Sequence, residues 1–146
     1  MKFFIASPWQ NEDIVKSLTV ALIAQGHTVY SFLDNGANLV GGAPAVEESE
    51  EEDINLVKGW EDDPKVKEVF ESNIKALKES DEVILLEPSG RSSLVEAGIA
   101  YGMGKKVVRV GLVAHPEVFA YCICGNHYPS VEEFLSGLNN TSAKGQ

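Results

Sequence analysis

Cysteine is scarce in this chain. Cys122 and Cys124 are its two, a single C-x-C with no second ligand pair nearby, which excludes a disulfide framework and argues against zinc. On a strand the two would face the same way, as buried free thiols. Histidine is thin too, and His27, His115 and His127 are scattered without metal-ligand spacing. Basic residues are outnumbered, 12 Lys and Arg against 22 Asp and Glu, for a formal net charge of -10. That balance repels phosphate backbones and anionic lipid, so neither a nucleic acid polymer nor a membrane is expected as a partner. No apolar run reaches the roughly 20 residues of a membrane span. The opening "MKFFIASPWQNED" is too briefly apolar for a secretory segment of about 7 to 15 residues and reads as a first strand, which makes the expected location cytoplasmic. Dinucleotide and Walker phosphate loops are missing as well. The G-x-G of "YGMGKK" precedes a strand instead of following one, and reads as a helix end and turn.

What is present fits one ordinary domain. With 146 residues, 44% hydrophobic and 23% charged, the chain can bury a core unaided. "KFFIAS" reads as a strand, and "NEDIVKSLTVALIAQGH" as a helix through Ile14, Leu18, Ala21 and Leu22, with Asn11 as N-cap and Gly26 as its stop. "HTVYSFL" reads as a second strand. Residues 34 to 62 form a long acidic connection, with six acids in positions 47 to 53; either it is a solvated excursion or it is a lid anchored by Trp60. Asp63 and Pro64 cap a helix carrying Val66, Val69, Phe70, Ile74 and Leu77, which ends near Ser80. "EVILLE" is apolar enough for a central parallel strand. "KKVVRVGL" and "YCIC" follow as strands, then "PSVEEFLSGL" as a helix opened by Ser130 with Glu133. Alternating strands and helices imply a three-layer α/β domain with a mainly parallel sheet over residues 1–138, and residues 139–146 as a frayed tail.

Ligands of such sheets bind at the carboxyl ends of the strands, where strand order reverses. Two loops lie there. "SPWQN" offers Ser7, Pro8 and Trp9, and "PSGRSS" offers Ser89, Gly90, Arg91, Ser92 and Ser93, a set of hydroxyls, backbone N–H groups and a guanidinium at a helix start that suits an anion or a sugar. Glu96 follows directly. Ser93-Leu94-Val95-Glu96 matches a capping box, the reading that spacing alone favours, but a carboxylate in a first helical turn at the mouth of a sheet can also be a nucleophile for an anomeric carbon. Composition does not settle it.

The run "SDEVILLEPSGRSSLVEAGIAYGMGKKVVRV", with "KFFIASPW" and "VFESNIKALKES" ahead of it, resembles the nucleoside 2-deoxyribosyltransferase family and its nucleotide N-hydrolase relatives. The resemblance spans about residue 2 to residue 136. Its most specific part is Asp81, an apolar strand, a Gly/Ser loop, and then Glu96, Gly98, Ala100, Gly104 and Lys105. It implies a flavodoxin-like (Rossmann-like) five-stranded sheet, a homodimer or larger homo-oligomer, and no metal or organic cofactor. It also implies cleavage of the N-glycosidic bond of a nucleoside or nucleoside monophosphate, with Glu96 as the nucleophile and the sugar passed to a base or to water. Asn73 and Ser7 would position sugar or base, and the 89 to 93 loop would hold a phosphate or hydroxyls. Three positions depart from the family pattern: Phe3 for a tyrosine that orients the nucleophile, Asn73 for an aspartate, and Gly90 for a base-binding aspartate. Asp34, Glu12, Asp13 and Glu87 are the acids available to substitute for the missing ones, and each is read first as a surface charge. A module that binds nucleotides without turnover, and an interaction domain in which Glu96 only caps its helix, are the alternatives.

Overall fold

A computed structural model of the chain describes residues 1–35 and 62–144. Five parallel strands form one sheet in the order β2-β1-β3-β4-β5: β1 (Lys2–Ala6), β2 (Thr28–Tyr30), β3 (Glu82–Leu86), β4 (Lys106–Val110) and β5 (Asn126–Tyr128). Parallel neighbours need crossovers. These are α1 (Glu12–Ala24), α2 (Pro64–Glu79), α3 (Arg91–Gly102) and the short α4 (Val118–Ile123), with α5 (Val131–Lys144) closing the described chain. The order is that of a flavodoxin-like three-layer fold.

Strand alternation sorts the core into two layers. Phe3, Ile5, Ile84, Leu86, Val108 and Val110 face one way and meet Val15, Leu18 and Leu22 of α1 and Phe134 of α5. Phe4, Ala6, Val83, Leu85 and Val107 face the other way and meet Leu77 of α2 and Ala97 and Ala100 of α3. Strand β3 is buried along its whole length, as expected for a strand covered on both faces. Each fully buried Leu or Ile there contributes roughly 1.5–3 kcal/mol. On α1 the buried stripe starts at Val15; Ile14, one residue round, is exposed.

Several local signals act as the sequence suggests. Asp63 accepts a hydrogen bond from the Lys65 N–H at 2.9 Å, with Pro64 at the first helical position. Ser130 Oγ accepts from the Glu133 N–H at 3.1 Å. Gly104 follows α3 with φ of +79°, a conformation suited to glycine.

Other expectations are overturned. "YCIC" is not a strand: Val118–Ile123 is a helical turn and a half, started by the Glu117 carboxylate, which accepts from the Ala120 N–H at 2.8 Å. Strand β5 comes later, at Asn126–Tyr128. Cys122 on this helix is exposed, while Cys124, the extended residue that ends it, is buried. Strand β2 stops at Tyr30, because Asp34 Oδ2 and Ser31 Oγ accept the N–H groups of Ser31 and Leu33 and wind residues Phe32–Asn35 into a 3-10 turn. Helix α5 continues past Leu138 into the segment expected to fray. The acidic run 47–53 and Trp60 lie outside the described residues.

Candidate functional site at the carboxyl edge of the sheet

The chain leaves β1 toward α1 on one face and leaves β3 toward α3 on the other, since Val15 and Leu18 belong to one core layer and Ala97 and Ala100 to the other. A crevice opens between such neighbours. Asn11 ties its two walls together. The Asn11 side chain is not the helix cap expected for it; Nδ2 donates to Ser7 Oγ at 2.8 Å and to the Pro88 carbonyl at 2.8 Å. Ser7 Oγ in turn lies 3.3 Å from the Leu86 carbonyl that it bonds. Pro8 closes the seam, because a Cβ added to Gly90 would come within 3.3 Å of Pro8 Cβ. A side chain at position 90 would therefore press on the proline ring, which would have to give by a few tenths of an ångström. Trp9 turns aside to pack on Phe32, ring centres 4.6 Å apart.

The β3–α3 loop is internally bonded. Glu87, read as a surface charge, is buried; Oε2 accepts from the Ser89 N–H at 2.6 Å and Oε1 from Ser89 Oγ at 3.2 Å. Arg109 on β4 is also buried, and its Nε stands 3.1 Å from Glu87 Oε1. The approach is coulombic, since Nε is out of line for a hydrogen bond with any described residue. Ser93 is not the N-cap either. Helix α3 begins at Arg91 with Gly90 as N-cap, and Ser93 Oγ accepts from the Gly90 N–H at 2.7 Å and donates to the Gly90 carbonyl at 2.8 Å. The S-x-x-E box therefore does not form. With Ser93 as the third helical residue, Glu96 lies nearly a turn deeper and is half-buried. Among the nominated anion ligands, Ser89 and Ser93 are spent inside the loop, while Arg91 and Ser92 are exposed in the first turn of α3.

A polar cluster that the sequence concealed lies within reach of the Glu96 charge. Tyr30, at the end of β2, stacks on Phe4 with ring centres 5.5 Å apart. Its hydroxyl meets Asn35 Oδ1 at 2.8 Å and Asn73 Oδ1 at 3.0 Å, and having one proton it donates to one at a time. Asn35 Nδ2 bonds Asn73 Oδ1 at 3.1 Å. Burial pushes the Tyr30 phenol above its ordinary value; the Asn35 hydrogen bond opposes this, and the charges of Asp34 and Glu96 add to it. Tyr30 thus stays protonated at neutral pH. Phe3, by contrast, points into the opposite core layer against His27 and Phe134. A hydroxyl missing from β1 is present on β2. The signal was there only as a lone Tyr in a strand, and no spacing in the sequence ties residue 30 to residues 73 and 96. Among the described residues, no three His, Cys, Asp or Glu side chains are grouped to hold a metal, and no helix is long and apolar enough to cross a membrane.

No protein-family model matches the chain, and no curated protein matches it in sequence. Solved structures do match. A CMP N-glycosidase of Clostridium botulinum is 18% identical, with 95% of this chain and 98% of that one covered and a TM-score of 0.58. A 2-deoxyribosyltransferase of Bacillus psychrosaccharolyticus is 20% identical, with coverage of 92% and 90% and a TM-score of 0.62. A conserved protein of Enterococcus faecalis V583 is 14% identical, with coverage of 97% and 98% and a TM-score of 0.63. In fold, then, the chain stands beside a 2-deoxyribosyltransferase and a CMP N-glycosidase, the two kinds of enzyme that its sequence resembles.

Proposed function

We propose that the chain cleaves the N-glycosidic bond of a nucleoside or nucleoside 5′-monophosphate. The observation that supports this reading is the bonded cluster of Tyr30, Asn35 and Asn73, whose phenol feels the charge of Glu96. A Glu96 carboxylate oxygen attacks C1′ of the sugar, the C1′–N bond breaks, and its electron pair leaves on the base nitrogen, which takes up a proton. A glycosyl ester remains. Water or a second base then attacks C1′, giving up a proton, and the Glu96 carboxylate departs unchanged. Tyr30, uncharged and bonded to the two asparagines, keeps the nucleophile's neighbourhood ordered. With Ser89 and Ser93 engaged inside their loop, Arg91, Ser92 and the first-turn N–H groups of α3 are the groups left for a 5′-phosphate.

The test is release of free base from a panel of deoxynucleosides and nucleoside monophosphates, with and without an acceptor base. Glu96→Ala should fold normally and lose at least about a thousandfold in rate, as nucleophile removal does. Tyr30→Phe, which keeps the ring stack, should lose roughly tenfold. Dependence on acceptor separates transfer from hydrolysis. If no substrate releases base while nucleotides still raise the melting temperature, the chain binds such molecules without cutting them, and the catalytic reading fails.

A further inference from the structure

Beyond the Glu87–Arg109 pair the sheet edge presents a surface unlike the one around Glu96. Between β4, β5 and α4 lies a cleft of about 540 Å³ with apolar walls, Leu112, Val118, Tyr121 and Tyr128 among them. That is room enough for an aromatic side chain. Beside the cleft, and not part of its wall, stands Phe119 on α4, 78% exposed to water. A hole and a knob of the same chemistry thus share one face. Leu112 is 78% exposed as well, and Val118 and Tyr121 are 71% and 60% exposed; large apolar side chains left in water this close together mark a contact surface. Charge is missing from the same stretch. Positions 111 to 130 hold a single Asp, Glu, Lys or Arg, Glu117, and its carboxylate is occupied by the Ala120 N–H at the start of α4. With 22 acids and a net charge of -10, the chain repels a like-charged molecule wherever those acids come face to face. A basic partner is drawn to the acidic surfaces and gains nothing here, whereas a partner that is itself acidic can approach only through a neutral face such as this one. A second copy of the chain is such a partner, and it brings both the matching knob and the matching hole.

We propose that this face joins two copies of the chain about a two-fold axis, with Phe119 of each copy seated in the cleft of the other. In such a contact the first residue of a pair meets the second in both directions, so one knob and one hole per chain are filled at once and none is left to recruit a third copy. Closure at two follows. Tyr121 lies flat on His127, ring centres 4.4 Å apart and planes 17° from parallel, which gives the cleft a stiff aromatic wall against which a phenyl ring packs edge-on or offset. An aromatic anchor in a pocket is the kind of contact that dominates the energy of an interface. Helix α4 packs against α3, so the joined face adjoins the helix that carries Glu96 without using Glu96 itself. The pairing does not depend on the glycosidic reading above, and a chain that cut no substrate would pair in the same way.

The experiment is sedimentation equilibrium of the full chain and of three variants at exposed positions, each first shown to keep the parent's circular dichroism. Phe119→Ala removes the knob, Leu112→Glu puts a charge at the cleft, and Val20→Glu, on α1 and 69% exposed, is the control. The parent should be a dimer. Phe119→Ala and Leu112→Glu should each raise its dissociation constant at least about a hundredfold, as loss of a central anchor does in both halves of a symmetric contact, while Val20→Glu leaves it within about twofold. Mixing the two weakened variants is the sharper test, because their heterodimer keeps one intact pairing, Phe119 of the Leu112→Glu chain in the unaltered cleft of the Phe119→Ala chain. The mixture should form dimers at concentrations where neither variant does so alone. A parent that stays monomeric at the highest concentration reached would overturn the proposal and leave the face to a different protein. An oligomer that neither variant weakens would overturn it too, by placing the contact elsewhere. Loss of dimer in both variants with no recovery on mixing would show that Phe119 and the cleft do not meet, and would sink the pairing.

Discussion

The two halves of the carboxyl edge are built on opposite principles. Around β1, β2 and β3 the crevice is polar and tightly bonded, with Asn11 joining its loops and Tyr30, Asn35 and Asn73 bonded to one another. Around β4 and β5 it is apolar and open, with Leu112, Val118, Phe119 and Tyr121 exposed. Glu87 and Arg109 form the partition between them. The contrast accords with the proposed chemistry, in which a reacting carboxylate needs fixed partners, whereas an apolar wall tolerates looser geometry.

The partition is where the comparison breaks most easily. Arg109→Met should destabilise the fold by about 3–5 kcal/mol, because it strands the buried Glu87 carboxylate, and the double variant Glu87→Gln with Arg109→Met should recover most of that loss. Urea unfolding of the three proteins measures both; equal losses in single and double variants would show that packing, not charge, governs the pair. Asn11→Ala attacks the polar half alone. Losing two donors to Ser7 and Pro88 should cost about 1–3 kcal/mol, and by hydrogen exchange the loosening should appear in the β1 and β3 loops and not in β5. Protection lost equally at β5 would mean that the halves are not independent. The smallest effect sits at the other end of β3. Glu82 is buried 3.8 Å from Lys106, and burial raises its carboxyl above the ordinary 4.5 despite the pull of that lysine. The folded state therefore holds the proton more tightly than the unfolded one, so its contribution is present below about 4.5 and is lost as pH rises through the raised value. Glu82→Gln should flatten the stability profile over that window without altering ligand binding, and a steeper fall with pH in the variant would contradict this.

The alternation of strands with helices, the central place of "EVILL", the caps at Asp63 and Ser130 and the turn at Gly104 were all legible in the sequence, because each depends on residues within a few positions of one another. Glu96 was legible as a candidate but not in its setting: reading Ser93 as a cap put it in the wrong turn, and the cap fell at Gly90 because Ser93 bonds backward to that residue. The "YCIC" segment misled because its apolar composition suits a strand as well as a short helix, and Glu117 is a less familiar N-cap. What only the tertiary structure decided were the contacts between residues far apart in the chain: Tyr30 with Asn73, Asn11 with Pro88, Glu87 with Arg109. Periodicity and capping are local and leave their mark in spacing. A parallel sheet joins its strands through long crossovers, so the side chains that meet at its edge carry no sequence interval from which the meeting could be read.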